Sequence, residues 1–306
     1  MCFYHYTTAF AYCLKKEYQL AIEICLALVK RKDVEDIHYQ MLGNIYDIIG
    51  EKEKAIKTYK AGLEKFPKSS KFYTGLGLLY LHEENYNEAI NSWEKGIELE
   101  PNYPGNYYWA AKLYSNSTEK IWALIYGEMF LSIERNNEEQ LKEISKLVYQ
   151  TLISCYTKNG DTVHIDFTAK NVITAGNEKQ MKKLENGIMP FELTYGATFI
   201  MSSPFFPDSF SIKNINIAKS NFIDIWFNQK KYNKHYENVL FDYQKLLISN
   251  DYFDCYNYWI YSFGDRYEFA EWKDKNEKKF KEFIKWYIEN PMILNDKNKL
   301  FRRKYD

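Results

Sequence analysis

A chain of 306 residues with 41 basic and 41 acidic side chains carries no net field that would draw it to nucleic acid or an anionic membrane. No apolar run approaches the roughly 20 residues needed to span a bilayer. Its 28 Tyr and 20 Phe promise an aromatic-rich core, and 7 Pro with 13 Gly are few for the length, as in a helical chain.

Met1 leads almost directly into a helical pattern, with Tyr4, Thr8, Tyr12 and Leu14 in step. No basic segment, apolar stretch and small-residue cleavage site stand there, so the expectation is a cytoplasmic protein that begins at its first helix. An export signal or further repeats upstream of Met1 is the competing reading. Cys2, Cys13, Cys25, Cys155 and Cys255 form an odd set without a CxxC pair or metal-ligand spacing, and read as free thiols. Cys13 and Cys25 fall on the two helices of one hairpin, which leaves a disulfide open there.

From residue 39 onward the chain repeats itself. Tyr39/Tyr73, Leu42/Leu76, Gly43/Gly77, Tyr46/Tyr80, Ala55/Ala89, Tyr59/Trp93, Gly62/Gly96 and Pro67/Pro101 all share one offset of 34 positions. Tyr, Leu and Tyr recur at steps of three and four, which stacks them on one face of a helix over about 36–49 and again over 70–83. Gly43 and Gly77 each cost roughly 1 kcal/mol of helix propensity, so close approach of a partner helix is expected there. Tyr59 and Trp93 would fill the space between units, and Pro67 and Pro101 would stop the second helix. The period weakens outward: Ala9, Tyr12, Ala21 and Cys25 lie before it, and Tyr107, Ala110, Ala111, Tyr114 and Ala123 after it. Four units follow, at about 2–35, 36–69, 70–103 and 104–135, enough for a stack that buries its own apolar faces.

This pattern resembles the tetratricopeptide repeat family over about residues 2–135. The resemblance implies an all-α helix–turn–helix solenoid whose concave groove, lined by the first helices, holds a protein or peptide. Mapped by register, the groove positions are Tyr6, Phe10 and Cys13; Gln40, Asn44 and Asp47; Thr74, Leu78 and His82; and Tyr108, Lys112 and Ser115. Family members that hold the carboxylate end of a chaperone tail use a basic and Asn cluster on this face. Only Asn44 and Lys112 are of that type, so a peptide or helix lying against aromatic and amide side chains fits better. The competing expectation is that the chain's own second half fills part of the groove.

Residues 136–306 read as a helical extension with at most one short strand or hairpin near 162–168. Helices are expected over 117–134 and 137–157, capped by Ser117 and Asn137. A turn follows at Lys158–Asp161, then the alternation of Val163, Ile165 and Phe167. A helix over 177–201 is interrupted by Pro190, and 202–208 gives the best internal boundary. Helices over 209–230, 233–249, 252–263 and 266–289 close the chain, the last with Trp272 and Trp286 spaced to face one side. Lys297, Lys299, Arg302, Arg303 and Lys304 read as a solvated basic tail.

Catalytic motifs are scarce. His5, His38, His82, His164 and His235 show no metal spacing, His164 with Asp166 is the nearest acid–base pair, and no phosphate-binding loop or nucleophile elbow is present. No cofactor is expected. The leading expectation is therefore a non-enzymatic interaction scaffold with a protein or peptide partner, not nucleic acid. Two alternatives stand beside it: an enzyme or small-molecule binder with a pocket near Trp226, Trp259 or Trp272, and a subunit of a bacterial envelope or secretion assembly.

Overall fold

A computed structural model describes residues 2–159, 162–169, 189–203 and 210–306. Among them the fold is all-α apart from one β-hairpin, and the chain divides into two compact units, Met1–Asn106 and Tyr107–Asp306.

The first unit is three helical hairpins: α1 (Cys2–Leu14) with α2 (Tyr18–Leu28), α3 (Asp36–Ile48) with α4 (Lys52–Lys65), and α5 (Lys71–His82) with α6 (Tyr86–Leu99). Each hairpin turns at a residue with positive φ: Lys16 at 62°, Gly50 at 80° and Glu84 at 57°. The following amide bonds back five residues in every case, Glu17 to Tyr12, Glu51 to Tyr46 and Asn85 to Tyr80, at 2.8–2.9 Å. This is the Schellman closure, which satisfies carbonyls that a helix end leaves open. It appears three times at the same register.

The repeated glycines are contact points, and their partners are rings. A Cβ on Gly43 would stand 2.2 Å from the Tyr59 ring, and one on Gly75 2.4 Å from the same ring. Tyr59 thus joins its own hairpin to the next, and it is fully buried. Gly62 faces Phe72 of the following hairpin in the same way. Between hairpins, Asp36 accepts from Lys71 Nζ at 2.7 Å and from Ser69 Oγ at 2.6 Å. Burial pulls the Asp36 carboxyl up, but those bonds outweigh it and leave the group below its usual range.

The second unit follows α7 (Pro104–Ser115), which begins at the boundary, with α8 (Lys120–Ile133) and α9 (Glu138–Ser154). Asn137 caps α9 by accepting from Gln140 N at 3.1 Å. The helix stops at Ser154 rather than near 157, because Tyr156–Asn159 leaves as strand β1 and pairs antiparallel with β2 (Thr162–Ile165), Tyr156 opposite Ile165. The expected turn residues Gly160 and Asp161, the expected helix over 177–188 and residues 204–208 of the expected break lie outside the described residues. Helices α10 (Phe191–Ser202), α11 (Ile212–Asp224), α12 (Val239–Ser249), α13 (Phe253–Ile260), α14 (Arg266–Lys275) and α15 (Glu277–Glu289) complete the unit.

Two expectations change here. The helix read over 266–289 breaks at Asn276, so Trp272 and Trp286 do not share one face: Trp272 stacks on Tyr258 at 4.2 Å, while Trp286 lies 5.4 Å from Tyr252. The basic tail is not simply solvated. Leu300 and Tyr305, on either side of its Arg-Arg-Lys run, are buried in the unit.

Candidate binding face and interior of the two units

Helices α1, α3 and α5 carry the expected groove residues of the first unit. Gln40 Nε2 reaches the Tyr103 hydroxyl at 3.5 Å, and Asp47 lies 3.5 Å from His82 Nδ1 across the neighbouring helix. Tyr6 packs edge-on to His38, ring centroids 6.0 Å apart. Asn44 is exposed, but its Oδ1 accepts from the Tyr59 hydroxyl at 2.7 Å. Thr74 is buried and donates to Asn106 Oδ1 at 2.9 Å. Leu78 is half-buried, and Phe10 is 50% exposed.

Two side chains outside the expected set are more open than any of these apolar ones. Leu14 is 70% and Ile48 60% exposed. They hold one register position, with His82 as the third member, just as Phe10, Asn44 and Leu78 hold another. Exposed aliphatic side chains at equivalent points of successive hairpins are informative where single ones are not. The register-based mapping missed them by taking Cys13 and Asp47, one residue earlier.

Tyr108 and Lys112 belong to the second unit. There the Tyr108 hydroxyl donates to Glu143, and Lys112 pairs with Glu143 at 2.7 Å. Burial lowers and these bonds raise the Lys112 pKa, for a net increase.

The second unit's interior is dense with rings. Trp226 is fully buried against Phe222, Phe191 and Phe241, with centroids 5.1–6.0 Å apart. Among them sits an ion pair: Lys219 Nζ lies 2.5 Å from Glu128 Oε1, Gln244 donates to Glu128 Oε2 at 2.8 Å, and the Tyr261 hydroxyl donates to Oε1 at 3.3 Å. The cavity that Glu128, Lys219 and Gln244 line with Tyr195 and Phe222 measures about 10 Å³, room for a single water. A polar surface cleft of about 280 Å³ lies elsewhere on this unit, between Asn233, Glu237, Asp242, Asn298 and Lys304. His164 stands opposite Thr157 in the hairpin. Cys13, Cys25, Cys155 and Cys255 are free thiols, and burial pushes Cys25 up to about 12, far from a reactive thiolate.

The repeated segments have counterparts in known sequences. Residues 39–67 and 70–103 each match a tetratricopeptide repeat profile. The chain carries tetratricopeptide repeats. The BBSome complex member BBS4 of Bos taurus is 38% identical over 66 residues, which is 22% of this chain and 13% of that protein. The anaphase-promoting complex subunit CDC16 of Saccharomyces cerevisiae is 39% identical over 61 residues, 20% of this chain and 7% of that protein. The matches thus span a small part of those relatives. Among solved structures, a crystal structure of MamA is 20% identical with a TM-score of 0.38, covering 48% of this chain and 83% of that one. A second, of MamA AMB-1, is 17% identical with a TM-score of 0.35, covering 50% and 81%. No helix among the described residues is long and apolar enough to cross a membrane.

Proposed function

We propose that the first-helix face of Met1–Asn106 is a groove that holds a short peptide or a helix of a protein partner, and that the chain acts as a scaffold without catalysis. Phe10, Leu14, Ile48 and Leu78 supply apolar contact, with Gln40, Asn44, Asp47 and His82 beside them to fix orientation. The observation that carries this reading is the exposure of Leu14 and Ile48 at one register of successive repeats. The relatives that match in sequence are, by name, members of multiprotein complexes, which agrees with a scaffold role.

The competing reading, a pocket among the aromatic residues of the second unit, is disfavoured by the packing around Trp226 and by a cavity of about 10 Å³. Ligand pockets are typically about 300–1,000 Å³.

The test is quantitative capture from lysate with the full chain and with Leu14→Glu plus Ile48→Glu. Both side chains are mostly exposed, so far-UV circular dichroism should be unchanged. Proteins held by the first and lost from the second would support the groove. An identical captured set would reject it.

A further inference from the structure

Residues 291–306 pass over the second unit with only a short turn of 3-10 helix at Arg302–Lys304 as regular structure. Backbone bonds inside the segment are short-range: Lys299 N to Asn295 O, Lys304 N to Phe301 O and Tyr305 N to Arg302 O. What seats the segment is a set of side chains. Met292, Leu294, Leu300 and Tyr305 are buried. The Tyr305 ring stacks on Phe191 at 4.1 Å and 13°, lies 6.0 Å from Trp122, and meets Tyr236 edge-on at 5.8 Å. Its hydroxyl donates to Glu237 O at 2.8 Å, and the Arg302 amide donates to the Tyr126 hydroxyl at 2.8 Å. The polar cleft of about 280 Å³ runs beside the segment, with Asn298 and Lys304 on its side and Glu237 and Asp242 on the other.

A segment that belongs to no α-helix, is seated by its side chains and is flanked by an open cleft can leave its seat without breaking an α-helix of the unit. The slot under Tyr305 has a shape and a hydrogen-bond pair fitted to one sequence, the chain's own. We propose that residues 291–306 are a latch that opens without the rest of the second unit unfolding, and that the slot formed by Trp122, Phe191 and Tyr236 then accepts the same segment of a second copy. Exchange of an identical element between copies needs no new surface, since every contact is already built.

A fluorescent peptide of residues 296–306 tests this on the full chain. The wild type should take it up weakly, because its own latch occupies the slot, and the same peptide with Tyr305→Ala should not bind. The full chain carrying Tyr305→Ala should bind the wild-type peptide at least about tenfold more tightly, since a competing occupant has been removed. Folding of that variant is checked by circular dichroism. Where it does not fold, Tyr305→Phe keeps the ring, loses the bond to Glu237, and should still bind more peptide than the wild type. A folded variant of either kind that binds no more peptide than the wild type overturns the proposal. So does hydrogen exchange in which the Arg302 and Tyr305 amides open only together with those of α8.

Discussion

Trp93 occupies the space that a side chain on Gly77 would need. A Cβ there would stand 2.1 Å from the indole Nε1, which donates to Thr74 O at 3.2 Å. Gly77→Ala gains about 1 kcal/mol of helix propensity, yet it must displace a fully buried ring. The expected net result is destabilisation by about 1–3 kcal/mol, as for other overpacked sites, read from urea unfolding. Gly50→Ala is the control, because nothing lies within 4 Å of that position and only its φ of 80° resists a side chain. A cost near 1 kcal/mol is expected there. If Gly77→Ala proved stabilising, the seat described for the indole would be wrong.

What the sequence made legible followed from repetition. Gly43 and Gly77, or Tyr59 and Trp93, each looked ordinary alone and became readable because the same cost recurred at the same register. Leu14 and Ile48 escaped because their significance lies in exposure, which a pattern of residue types does not record. Strand β1 escaped for another reason: Tyr-Thr-Lys-Asn has no alternation, and it becomes a strand only by pairing with Thr162–Ile165. The tail was misread because Arg302, Arg303 and Lys304 advertise solvent while Leu300 and Tyr305 on either side carry the burial. Glu128 and Lys219 are 91 residues apart, and no local signal links them.

That ion pair makes a strong prediction. Lys219→Met would leave the Glu128 carboxylate in an aromatic core with only Gln244 and Tyr261 as donors. Removing one member of a buried pair costs about 3–5 kcal/mol. The double variant Glu128→Gln, Lys219→Met should recover most of that loss. A double-mutant cycle by chemical denaturation gives the coupling directly, and additive single effects would show that the two groups do not depend on each other.

Alkaline pH should unfold the protein through its tyrosines. Burial, aided by the Glu128 charge, lifts the hydroxyl pKa of Tyr195, Tyr256 and Tyr261 well above the ordinary value. The unfolded chain releases those protons near pH 10 and the folded chain does not, so the stabilisation is complete below about pH 10 and is lost as pH rises further. Lys219 acts oppositely: burial outweighs the pull of Glu128 and holds its ammonium pKa down. Its contribution is present above the ordinary lysine value and lost as pH falls through its folded value, but it is one group against three. The melting temperature should therefore hold steady to about pH 9 and drop above about pH 10. Tyrosinate absorbance should rise together with unfolding. Full tyrosine ionisation in a chain that stays folded would contradict the burial of these rings.

The three turns at Lys16, Gly50 and Glu84 carry a consequence for how the chain tolerates loss. Because each hairpin turns within itself by the same closure, and the closures stand 34 positions apart, a block of that length removes one whole hairpin and leaves the turns of the others intact. Excising residues 36–69 as a block would set α5 after α2 in a register the backbone already uses, leaving Cys25 where Tyr59 had met Gly75 and a void to match. Deleting one residue inside α3 rotates everything after it by about 100° around the helix, and every seat in that hairpin misses its ring. Losing 34 residues should therefore damage the first unit less than losing one.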